Sequence, residues 1–145
     1  MAQRKNPETS RRIPSRVIDQ AGVIPYRIRN QEVQVLLITS RTSGRWIIPK
    51  GLIDPGMTPE EAALQEAHEE AGAHGRLDPS LGSYQYMKWG RQLEVRVFPM
   101  QVDELLNSWE EQDSRRRRWF PVREAADQVR DPGLATLLDL FSRSV

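Results

Sequence analysis

At 145 residues, 38% hydrophobic and 28% charged, the chain is long enough for one globular domain that buries roughly two thirds of its unfolded surface. The absence of cysteine excludes disulfides and thiolate metal sites, and a net charge of +1 gives no bulk attraction to nucleic acid. No apolar run approaches the ~20 residues that span a bilayer, and residues 1–16 lack the apolar core of a secretion signal, so a cytoplasmic protein without membrane association is expected.

Residues 1–15 are polar, hold Pro7 and Pro14, and show no periodicity, which predicts a flexible basic arm ahead of a single domain over 16–145. Arg11, Arg12 or Arg16 could fold from it over an anionic ligand. Val17–Ile28 is strand-like, broken by Gly22 and Pro25, and Arg29-Asn30-Gln31 reads as a turn into Val33–Thr39. That second run is rich in β-branched residues and almost continuously apolar, as for a strand covered on both faces. Ser40–Arg45 is a polar loop flanked by Arg41 and Arg45, and Trp46-Ile47-Ile48 is a short strand ending at Pro49.

The next stretch carries the densest signals. Thr58 suits an N-cap, Pro59 the first helical position, Glu61 a capping box, and Gly72 a stop, predicting a helix over Pro59–Ala71. At ~100° per residue, Glu66, Glu69 and Glu70 share one arc, while Ala63, Leu64, Ala67 and Ala71 gather opposite. Three like charges on one short face repel, and nothing basic in the helix offsets them. A divalent ion would, and carboxylate oxygens are ligands that hard ions such as Mg²⁺ or Mn²⁺ prefer.

Beyond the helix, Leu81–Lys88 and Gln92–Val102 read as an antiparallel pair turned at Trp89-Gly90-Arg91. Asp103–Asp113, which includes Glu110 and Glu111, is an acidic stretch read as a solvated loop. Arg115–Arg118 precede Trp119-Phe120 on a further strand, and because neighbours on a strand alternate, at most two of the four arginines can meet one ligand. Val122–Val129 forms a short helix, Asp131-Pro132 starts another, and Leu134, Leu137, Leu138 and Phe141 stripe its core face.

The stretch from Gly51 to Ala73 resembles the signature box of the Nudix hydrolases: Gly51, Glu66, Ala67, Glu69, Glu70, Gly72 and Ala73 match at the family's spacing. Met57 and Gln65 stand where the family expects a Glu and an Arg that brace loop against helix. The resemblance implies an α+β fold, an α/β/α sandwich with a mixed central sheet. It implies water attack on a phosphoanhydride, with Mg²⁺, or Mn²⁺ in its place, on Glu66, Glu69, Glu70 and the main-chain carbonyl of Lys50. Glu66 or Glu70 would be the general base, and Lys50, Arg41, Arg45, Lys88, Arg91, Arg115 and Arg117 would hold phosphates. The Ser40–Trp46 stretch and the Arg-rich run before Trp119-Phe120 resemble the diphosphoinositol polyphosphate phosphohydrolases, whereas Pro49-Lys50-Gly51 looks like dinucleoside tetraphosphate hydrolases. A small-molecule polyphosphate is therefore the expected partner. An RNA 5′ pyrophosphohydrolase, using the arginine run as an RNA path, and a non-catalytic binding module are the alternatives.

Overall fold

The computed structural model describes residues 16–145, and the expected arm over 1–15, with Arg11 and Arg12, lies outside the described residues. Strand β1 (Ile18–Arg29) pairs antiparallel with β2 (Glu32–Thr39), from Tyr26 opposite Val35 to Arg29 opposite Glu32. Between them Asn30 and Gln31 both have positive φ, 53° and 65°, giving the turn twist that matches right-handed strands. The edge of β2 takes on β3 (Trp46–Ile47), and β4 (Lys50–Leu52) folds back on β1 at Gln20–Gly22.

The longest strand, β7 (Arg91–Leu105), runs parallel to β1, with Ile18–Tyr26 beside Leu93–Gln101, and antiparallel to β5 (Ala73–Leu77) and β6 (Gly82–Lys88). With β8 (Arg117–Pro121) on β2, the described residues form one eight-stranded sheet, mixed because of the β1/β7 pair. Strand β5 escapes a sequence reading. Ala-His-Gly-Arg-Leu lacks the alternation and β-branching of a strand, and its pairing is imposed by β7 through a register shift at His74–Gly75.

Alternation along the strands sends side chains into two cores. Ile24, Val35, Leu37, Val95 and Val97 pack with helices α2 (Val122–Gln128) and α3 (Pro132–Ser144) through Leu134, Leu137, Leu138 and Phe141. Val23, Leu36, Ile38, Phe98 and Met100 pack on the other side against Ala62, Ala63, Ala67 and Ala71 of the box helix. The expected α/β/α layering is therefore present. The helix meets the sheet through methyl groups, so its buried arc centres on Ala63 and Ala67. Leu64, expected inside, is 39% exposed, and Ala62 is buried in its place.

Candidate active site

The start of the box helix follows its sequence signals. Thr58 Oγ1 accepts from the Glu61 N–H at 3.0 Å while Glu61 Oε1 accepts from the Thr58 N–H at 2.9 Å, closing a capping box ahead of Pro59. The end departs from expectation. Helix α1 is α-helical only over Pro59–Glu66, and Ala67–Ala71 continue it as a wider π turn that Gly72 ends at φ 61°. The cause lies far along the chain. The Glu69 carbonyl accepts from the Glu111 N–H, and the Glu70 carbonyl from the Trp109 indole at 3.0 Å. The Ala71 carbonyl accepts from Arg117 Nη1 at 2.7 Å, and the Gly72 carbonyl from the Leu106 N–H. Residues 106–117 thus supply donors to the helix end, and the turn opens to meet them.

This anchoring sorts the carboxylates. Glu70 is only 7% exposed; its Oε1 accepts from the Lys50 N–H at 3.1 Å, and Arg115 Nη2 lies 3.4 Å from its Oε2. Glu66 lies half-buried against Gly51, where a Cβ would stand 2.4 Å from the Glu66 carboxyl carbon, so only glycine admits it. Burial, then the neighbouring Glu70 carboxyl, pushes Glu66 up to about 8. Burial also raises Glu70, against the pull of Arg115 and the Lys50 N–H. Glu69 faces a different set. Gln65 Nε2 donates to it at 2.9 Å, and its carboxylate lies within 4.8 Å of those of Glu110 and Glu111. The acids thus form two linked groups, Glu66 with Glu70 and Glu69 with Glu110 and Glu111. Crowded, partly desolvated carboxylates of this kind, all hard oxygen donors, fit a divalent magnesium-like ion.

Above Glu70 opens a cleft of about 420 Å³, lined among others by Lys50, Arg41, Lys88, Arg91 and Arg115, five of the seven expected phosphate-binding residues. Arg45 borders an adjoining recess of about 300 Å³ with Trp46, Tyr84 and Asp131. Lys50 is held over Tyr86, its Nζ 5.1 Å from the ring centroid, and burial lowers its pKa. Arg117, expected to hold phosphate, lies elsewhere. Its guanidinium is committed to the Ala71 and Leu106 carbonyls and stacks 3.8 Å from the Trp109 ring centroid, so it caps the helix and does not line the cleft. Arg115 lines the cleft but is also held by Glu111 Oε1 at 2.7 Å and the Thr39 carbonyl at 2.9 Å. Glu111, expected in a solvated loop, is docked by that ion pair.

Three residues that the sequence does not mark as part of the site help to build it: Thr39, which holds Arg115 and Arg116; Trp109; and Gln20, which accepts from the Tyr86 hydroxyl at 2.8 Å. Of these only Trp109, an aromatic inside an acidic run, is distinctive by type. The departures from the box pattern also find partners. Met57 packs on the alanine-rich core, bracing the loop by apolar contact, and Gln65 orients Glu69.

The NUDIX domain model matches residues 19–141. The chain belongs to the Nudix hydrolase family. It is 33% identical to Nudix hydrolase 21, chloroplastic, of Arabidopsis thaliana over 126 residues, covering 83% of this chain and 64% of the relative. It is 35% identical to diphosphoinositol polyphosphate phosphohydrolase 3-alpha of Mus musculus over 108 residues, covering 73% of this chain and 65% of that one. The chain thus spans just under two thirds of the length of these relatives. The crystal structure of a C. elegans Ap4A hydrolase binary complex superposes with a TM-score of 0.75 at 25% identity, covering 88% of this Nudix chain and 96% of the other. Among the described residues of this Nudix protein, no helix is long and apolar enough to cross a membrane.

Proposed function

We propose that this Nudix protein cleaves phosphoanhydride bonds of a nucleoside or inositol polyphosphate, using Mg²⁺ or Mn²⁺ held by Glu66, Glu69, Glu70 and the main-chain carbonyl of Lys50. The observation that carries this reading is the desolvated Glu66–Glu70 pair, with Glu66 seated on Gly51 and Glu70 lining a cleft walled by cations. When bound, the ion supplies charge neutralisation on the phosphates and acidifies the attacking water. Glu66 or Glu70 takes the proton as water oxygen attacks phosphorus and the bridging P–O bond breaks. Lys50, Lys88, Arg41 and Arg91 hold the phosphate oxygens, and Arg115, fixed by Glu111 and Thr39, adds a cation that cannot swing away.

Of an RNA path along Arg115–Arg118 only the exposed Arg116 and Arg118 remain, because Arg117 caps the helix and Arg115 is held by Glu111 and Thr39. A non-catalytic module is disfavoured in turn, since Met57 and Gln65 have structural partners in place of the family's pair. The test is a Mg²⁺-dependent hydrolysis panel of diadenosine polyphosphates, inositol pyrophosphates, nucleotide sugars and triphosphorylated RNA, with Glu69→Gln as the blank. Turnover of a small-molecule polyphosphate is expected, falling ~10²- to 10⁴-fold in Glu70→Gln. Turnover of none of them counts against the reading.

A further inference from the structure

We propose that Trp89, at the tip of the β6–β7 hairpin, is the platform on which the planar base of a nucleoside polyphosphate stacks; this rests on the reading that the adjoining cleft takes the phosphate chain. Trp89 has φ 51° and Gly90 φ 72°, the two-residue left-handed turn that asparagine or aspartate ordinarily opens. The same chain builds a second such turn with Asn30 in the first position at φ 53°. A bulky side chain in this backbone region is rare and strained, so the turn does not account for tryptophan. Core packing does not account for it either, since the residue is 86% exposed, with Lys88 Nζ 4.7 Å from its ring centroid.

What the position does have is the cleft. Trp89 borders it together with Lys88 and Arg91, two of the cations that would hold phosphate. An exposed indole at the mouth of a cationic cleft matches a ligand whose phosphate chain ends in a flat heteroaromatic ring. Every base has a π-face, so stacking tolerates any of the four. A phosphorylated polyol has no such face. The inference therefore selects nucleoside polyphosphates over inositol pyrophosphates as the substrate class.

Binding by calorimetry, with Mg²⁺ and methylene-bridged analogues of diadenosine tetraphosphate and of inorganic tripolyphosphate, tests this on the full chain and on Trp89→Asn. The substitution is expected to weaken the dinucleotide about tenfold or more and tripolyphosphate less than twofold. Trp89→Phe should keep most of the affinity, and Trp89→Asn should melt no lower than the parent, because asparagine suits the turn. Equal weakening of both ligands, or of neither, overturns the proposal, as does a dinucleotide that binds no more tightly than tripolyphosphate. The hydrolysis panel is scored apart: its failure removes the catalytic reading and leaves these binding ratios to decide the role of Trp89.

Discussion

A methyl group on residue 51 would meet all three terminal atoms of the Glu66 carboxyl group, the farthest at 2.6 Å. Gly51→Ala must therefore push Glu66 off its seat or the loop off the helix, and neither leaves the carboxylate pair as it is. Misplacing a ligand by its support ordinarily costs 10- to 100-fold in metal affinity. We expect Mn²⁺ binding by Gly51→Ala, followed by calorimetry, to weaken by about that factor while the circular dichroism stays that of the parent. Gln65 invites a milder version. Gln65→Ala removes the amide that donates to Glu69 and should weaken Mn²⁺ binding by less than Gly51→Ala, because Glu69 keeps its place on the turn.

At the scale of an element, the π turn is held open from outside. Its carbonyls are satisfied by the Trp109 indole and the Arg117 guanidinium, which come from 39 and 46 residues downstream. Hydrogen bonds from a charged donor are worth about 1.5–3 kcal/mol each. Arg117→Ala deletes two of them and the stacking on Trp109; because the side chain is only partly buried the low end of that range applies to each, so a loss of about 3 kcal/mol and a fall in Tm of about 6–12 °C are expected. Amide exchange should then quicken first over residues 69–72. Arg117→Lys, with a single ammonium in place of the fork, should recover only part of this. Trp109→Phe, which keeps the ring and drops the N–H, should cost about 1 kcal/mol.

For the whole molecule, the buried acids link folding to pH and to metal. Burial and the neighbouring Glu70 push Glu66 up to about 8 in the folded chain against an ordinary 4.5, so between those values the folded state binds more protons than the unfolded one. Stability of the metal-free protein should therefore fall as pH rises across that window, and Glu70, raised in the same direction, adds to the slope. Mg²⁺ should flatten the dependence and release protons on binding. Thermal melts from pH 5 to pH 8.5, with and without the ion, check it, and a metal-free Tm that climbs over that range would contradict the assignment of a desolvated pair.

How much of this was legible beforehand depends on where each residue's partners lie. The capping box at Thr58 and Glu61, the Gly72 stop, the β1–β2 hairpin and the Leu134–Phe141 stripe rest on partners within a turn or two, and they form as the sequence indicates. The acid pattern at 66, 69 and 70 was equally plain, because helical spacing alone brings those positions together. Strand β5, the π turn and the division of labour among the four arginines were not legible. Strand β5 has little propensity of its own and exists because β7 offers it an edge. The π turn exists because residues 106–117 dock on its carbonyls. Arg115 and Arg117, two positions apart and identical in type, part company because one meets Glu70 and Glu111 while the other meets the carbonyls of Ala71 and Leu106. Residue type and spacing determine which charges the chain carries and which helix presents them; only the packing of distant segments decides which charges face the cleft, since Arg117 turns both Nη atoms to carbonyls at the helix end while Arg115, though held by Glu111 and Thr39, lines the cavity.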